Sequence, residues 1–126
     1  MNGDIFNPRV NGLDEVVNHY RHCLQNVNLY GPTHFGSILD TVNQICESDP
    51  GNYNNQKFQV LLIITDGIIN DMQQSIDQIV RGSSNPLAII IVGVGDADFS
   101  DMDKLDGDEE ALYSGAFRKY AEADIV

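Results

Sequence analysis

Two aliphatic runs constrain this chain more than any other feature. Residues 58–65 read Phe-Gln-Val-Leu-Leu-Ile-Ile-Thr and stop at Asp66-Gly67, and residues 87–94 read Leu-Ala-Ile-Ile-Ile-Val-Gly-Val and stop at Gly95-Asp96. Neither run alternates polar with apolar side chains, which is the pattern of strands buried on both faces of a parallel sheet. Between them Met72, Ile76, Ile79 and Val80 recur at helical spacing and make one apolar face. Strand, helix and strand in that order form a βαβ unit. The expected fold class is therefore α/β, with a three-layer, mostly parallel central sheet flanked by helices.

The rest of the chain fills in around that unit. Residues 1–12, rich in Asn, Gly and Pro, read as a loop, and residues 13–126 as the helix and strand body. Leu13, Val16, Val17, Tyr20, Cys23, Leu24 and Val27 keep helical spacing, and so do Phe35, Ile38, Leu39, Val42, Ile45 and Cys46. Leu29-Tyr30-Gly31-Pro32-Thr33 is a turn-bearing loop between these two helices. Residues 48–56 read as an exposed, Asn-rich connection. After Asp96 the pattern predicts an acidic loop, a short helix around residues 117–121 and the start of a last strand at Ile125-Val126. Only two full strands are evident, whereas sheets of this class carry about five or six. The chain is expected to be an incomplete domain, with one sheet edge and part of the core exposed and with marginal stability.

Charge narrows the function classes. Asp and Glu number 19 against 7 Lys and Arg, a formal charge of −12. Nucleic-acid binding rests on clustered Lys and Arg and is not expected. The same imbalance disfavours unaided docking on an anionic membrane, although a divalent cation can bridge that repulsion. The first residues lack the basic region and apolar stretch of a leader. No apolar run approaches the roughly 20 residues that span a bilayer. Cys23 and Cys46 show no metal-ligand spacing and read as reduced core residues of a cytoplasmic protein.

Two residues stand where chemistry is expected. In open α/β sheets ligands bind beyond the carboxyl ends of the strands, and Asp66 directly follows the first run. Thr33 lies in a Gly-Pro-Thr turn before a helix. Both are oxygen donors of the kind Mg²⁺ and Ca²⁺ take. Spacing alone favours structural roles, with Thr33 as a helix cap and Asp66 as a turn residue. Other features read as structural too. The acidic residues 96–110 do not match the ligand pattern of an EF-hand and read as a solvated loop. Gly93-Val94-Gly95 fails the dinucleotide fingerprint because Asp98 stands at its last glycine. His19, His22 and His34 share no zinc spacing. An α/β enzyme using Asp66 would need a second positioned group that the sequence does not offer.

A family resemblance changes the weight on Thr33 and Asp66. Leu29-Tyr30-Gly31-Pro32-Thr33, Leu61-Leu62-Ile63-Ile64-Thr65-Asp66-Gly67 and Ile89-Ile90-Ile91-Val92-Gly93-Val94-Gly95 resemble successive landmarks of the von Willebrand A-type (vWA) domain of copines. Asp98-Phe99-Ser100-Asp101-Met102, Leu105-Asp106-Gly107-Asp108 and Ala123-Asp124-Ile125-Val126 continue the series in order. The resemblance implies a vWA, Rossmann-like fold over residues 1–126, covering only the later part of that domain. It implies a metal-ion-dependent adhesion site built from an Asp-x-Ser-x-Ser motif, a Thr and an Asp. Thr33 and Asp66 match the last two, and the first motif has no counterpart in this sequence. The expected site is thus partial, taking Mg²⁺ or Ca²⁺ weakly. The resemblance further implies a protein partner, no enzymatic activity and cytoplasmic location with recruitment to the plasma membrane. Calcium-dependent phospholipid binding is expected of C2 domains that lie outside this sequence. The alternatives are a degenerate or truncated copine fragment without independent activity, or a hydrolase-like enzyme using Asp66. Plant ubiquitin ligases with a related vWA domain carry a Cys- and His-rich RING finger that is not found among these residues.

Overall fold

The computed structural model describes residues 8–108 and 110–126. It divides into two compact units, Met1–Gly31 and Pro32–Val126.

The first unit holds helix α1 (Gly12–Asn26). Asp14 and Glu15 occupy its first turn, where carboxylates complement the helix dipole. The Asn11 N–H donates to Glu15 Oε2 at 2.7 Å, which satisfies a donor next to the helix start. None of the residues of α1 is buried, and Val16, Val17, Tyr20 and Leu24 leave much of its apolar stripe exposed. Cys23 is half-buried on this helix, whereas Cys46 is buried in the second unit.

The second unit begins with α2 (Gly36–Ser48), β1 (Gln59–Thr65), α3 (Met72–Gly82) and β2 (Leu87–Gly93). β1 and β2 pair in parallel from Gln59 opposite Leu87 to Thr65 opposite Gly93, as the two aliphatic runs require. Phe35, Leu39, Cys46, Ile79, Leu87 and Ile89 form the core, with Leu61, Ile63 and Ile91 packed against it. α2 meets α3 across polar as well as apolar contacts. The Asn43 side chain donates to the Gln78 carbonyl at 2.9 Å. Arg81 forks onto both carboxylate oxygens of Glu47, at 2.8 and 2.6 Å, and reaches Asp40 at 2.6 Å. These carboxylates are partly exposed, so the network adds orientation more than stability.

Three sequence expectations need correction. The strands are not buried on both faces within this unit. Burial alternates along β1, and Val60, Leu62, Ile64, Ile90 and Val92 face away from the helices and are exposed. The three-layer sheet is incomplete, as expected, and buried residues of α2, α3 and α4 join a single core with β1 and β2. A continuous aliphatic run reports strand propensity on both faces, but it does not report what covers each face.

Second, the acidic stretch is not all loop, since Ser100–Asp106 forms α4 with Met102 and Leu105 buried. Asp98 Oδ1 accepts the Ser100 N–H at 2.9 Å, and Gly107 closes the helix with φ 75°. Two apolar residues in so short a helix leave too little periodicity to read.

Third, the expected helix around residues 117–121 is a hairpin of β3 (Tyr113–Ser114) and β4 (Lys119–Tyr120). Arg118 turns it with φ 54°, and the Tyr113 and Tyr120 rings lie 5.0 Å apart across it. Buried Ser114 donates to Asp77 of α3 at 2.6 Å and accepts the Phe117 N–H at 3.0 Å. This tertiary anchor overrides local helical preference. Ile125 and Val126 do not form a regular strand. The Ile89 N–H nevertheless donates to the Ile125 carbonyl at 2.6 Å, a single rung on the outer edge of β2.

Candidate functional site

Asp66 stands directly after the carboxyl end of β1, whose last residue Thr65 is paired with Gly93 at the end of β2. Thr65 is buried at the end of β1, and its hydroxyl accepts the Gly67 N–H at 3.2 Å. Its carbonyl accepts the Val94 N–H at 2.8 Å, which ties the two strand exits together. Gly67 has φ 98°, a conformation open to glycine, and a Cβ there would lie 3.0 Å from the Asp98 carbonyl oxygen. Asp66 is left exposed on the rim between a fixed strand end and a fixed turn.

The Phe99 ring closes the floor behind this turn. A Cβ on Gly93 would meet that ring at 2.6 Å. The space that a dinucleotide phosphate would need at Gly93 is therefore filled by an aromatic side chain. Asp98 is held below its ordinary pKa by the Ser100 backbone N–H, which favours its charged form.

Thr33 is exposed and held at the same end of β1 by its backbone. Its N–H donates to Asn70 Oδ1 at 2.7 Å, and its carbonyl accepts the Asn70 N–H at 2.9 Å. The start of α2 is capped by Asp71, not by Thr33. Asp71 Oδ1 accepts the Phe35 N–H and Oδ2 accepts the Gly36 N–H, each at 2.9 Å. The cap role that spacing favoured for Thr33 thus belongs to a residue far along the sequence, just before α3. Asn70 and Asp71 hold this loop through these bonds, and sequence reasoning missed both. Asp71 sits just before α3 and reads as that helix's own N-cap, so its use by a distant helix leaves no local signal.

Thr33 and Asp66 are hard oxygen donors that suit Mg²⁺ or Ca²⁺ in kind but not in number, since such ions take about six or more ligands. Among the described residues no group of three or more His, Cys, Asp or Glu side chains is gathered as a metal set. The remaining coordination would fall to water and to groups beyond these two residues.

Elsewhere, a groove of about 630 Å³ runs beside β2, lined by Ile89, Ile91, Phe99, Met102 and Val126 with Asp103 and Asp106. Neither Thr33 nor Asp66 lines it. Burial, reinforced by Asp108 and Asp124, raises the pKa of Asp106. Among the described residues no helix is long and apolar enough to cross a membrane.

The family model described as Copine matches residues 1–126. The chain is 47% identical over 119 residues to Nicotinic receptor-associated protein 1 of Caenorhabditis briggsae, which covers 94% of the chain and 18% of that protein. It is 44% identical over 115 residues to the protein of the same name from Caenorhabditis elegans, covering 91% of the chain and again 18% of the relative. The chain therefore spans less than a fifth of the length of these relatives.

Proposed function

The chain belongs to the copine family, and on that premise we propose that it works as part of a vWA-type binding module, not as an enzyme. In this reading a protein partner docks at the surface beyond the end of β1, and Thr33 and Asp66 face a divalent cation there. One observation carries the reading. The loop bearing Thr33 is fastened by Asn70 to the segment that follows Asp66, so both oxygen donors belong to one end of one strand.

The charge of −12 supports a cation-assisted contact over direct attraction to an anionic lipid surface. Calcium-dependent phospholipid binding we assign to C2 domains of a whole copine, with cytoplasmic location and recruitment to the plasma membrane following from it. The relatives are named for association with a nicotinic receptor. A membrane-protein partner is the corresponding proposal for this chain.

The test uses the full-length protein. Mg²⁺ or Mn²⁺ is expected to raise its melting temperature, and Asp66→Ala to remove that rise. A melt indifferent to every divalent ion tried would defeat the cation part of the proposal. A second reading, a copine piece without activity of its own, is favoured by the exposed face carrying Val60, Leu62, Ile64, Ile90 and Val92. Aggregation or self-association of the isolated chain, with neither cation nor partner binding, would select it.

A further inference from the structure

We propose that Asn70 and Asp71 are positioning residues of this site. Together they fasten the loop carrying Thr33 to the turn carrying Asp66, and so set where the Thr33 hydroxyl stands. The proposal rests on the reading of Thr33 and Asp66 as a cation-facing pair.

Four hydrogen bonds make the fastening. Asn70 binds the Thr33 backbone in both directions, through its side-chain oxygen at 2.7 Å and its own N–H at 2.9 Å. Asp71 divides its two carboxylate oxygens between the N–H groups of Phe35 and Gly36. These are charge-assisted bonds to the first donors of a 13-residue helix, where the backbone dipole also favours negative charge.

Each anchor is itself held. Ser75, fully buried, donates its hydroxyl to the Asp71 carbonyl at 3.0 Å and lies 3.2 Å from Asp71 Oδ1. Phe35 is buried in the core beneath the loop, and Ile69 is buried immediately before Asn70. Gly36 shows how close the approach is, because a Cβ there would lie 2.9 Å from Asp71 Oδ2 and 2.6 Å from Gln74 Cγ. From Asp66 to Asn70 the chain runs through Gly67, pressed against Phe99, and the buried Ile69. The path from one oxygen donor to the other is therefore short, and it is pinned at Gly67 and Ile69.

Two readouts on the same variants test this. Amide hydrogen exchange reports the fastening without any metal, and Mn²⁺ titration followed by electron paramagnetic resonance reports its consequence. Asn70→Ala changes an exposed residue and is expected to speed exchange at Thr33 by roughly fivefold or more. Asp71→Asn, which keeps volume and removes charge, does the same at Phe35 and Gly36. Both variants are expected to weaken Mn²⁺ binding severalfold while Asp66 is intact. Unchanged exchange at these amides overturns the proposal whatever the metal does. Faster exchange with unchanged Mn²⁺ affinity also overturns it, because the loop's place then does not matter to the site. If Asp66→Ala leaves Mn²⁺ affinity unaltered, the cation-facing pair itself fails, and exchange alone then shows whether Asn70 and Asp71 hold the loop.

Discussion

Ile89 and Ile90 are neighbours on one strand with opposite surroundings, and truncating each in turn tests the one-sided core. Ile89 is 3% exposed and packs among the helices, whereas Ile90 is 49% exposed on the open face. Replacing either by Ala removes the same atoms and the same β-branched strand preference, so propensity largely cancels in the comparison. The removed carbons amount to about three methylenes, worth roughly 0.8 kcal/mol each when fully buried, or about 2.4 kcal/mol. At position 89 a cavity penalty adds to this, and the expected loss is about 3–4 kcal/mol. At position 90 only about half the transfer term applies and no cavity forms, giving about 1 kcal/mol. The assay is urea unfolding of the 126-residue chain followed by far-ultraviolet circular dichroism. Because Ile89→Ala is large enough to unfold a marginal protein outright, the pair Ile89→Val and Ile90→Val repeats the comparison gently, with about 1 kcal/mol against a few tenths. Equal losses at the two positions would refute the one-sided core and show that something covers the face of Ile90.

Further perturbations probe other joints of the structure. Ser114→Ala removes a bond to the Asp77 carboxylate and leaves the Phe117 N–H without its acceptor, so a loss of about 2 kcal/mol is expected in the same assay. A loss indistinguishable from zero would mean the hairpin is not anchored there. Asp106 has its pKa raised in the folded protein, first by burial and then by Asp108 and Asp124. An acid whose folded pKa lies above its unfolded value makes folding less favourable as pH rises through that window, and contributes nothing below the unfolded value. Asp106→Asn should therefore raise the melting temperature at pH 7, with the gain vanishing below about pH 3.5. A pH-independent effect would contradict this. Glu47 moves the opposite way, its pKa lowered by the Arg81 hydrogen bond. Its contribution is present above its ordinary value and is lost as pH falls through the lowered one, and Arg81→Gln should remove that acid-side slope.

The βαβ unit and both preceding helices were legible because each rests on a long apolar pattern. β1, α3 and β2 lie within a residue or two of their expected places, as does α2. What the pattern does not carry is the side from which each face is covered, since Ile89 and Ile90 are identical letters with opposite burial. The C-terminal third was read less well for a related reason. α4 holds two buried apolar residues among carboxylates, and the hairpin is fixed by the bond from Ser114 to Asp77 between residues far apart in sequence. For Thr33 and Asp66, spacing alone favours structural roles, and it is the copine resemblance that singles them out. The cap role that spacing alone offers to Thr33 falls instead to Asp71. Capping is normally local, and here a carboxylate from the start of α3 supplies it.

The most direct test of the central claim is paramagnetic line broadening by Mn²⁺ in the amide spectrum of the chain. If Thr33 and Asp66 face a cation, substoichiometric Mn²⁺ should broaden Thr33, His34, Asp66 and Gly67 first. The exposed carboxylates of α4 and its following turn should respond only at higher concentration. Broadening that begins among Asp101, Asp103 and Asp108 and reaches Thr33 and Gly67 no earlier than the rest of the surface would contradict the claim.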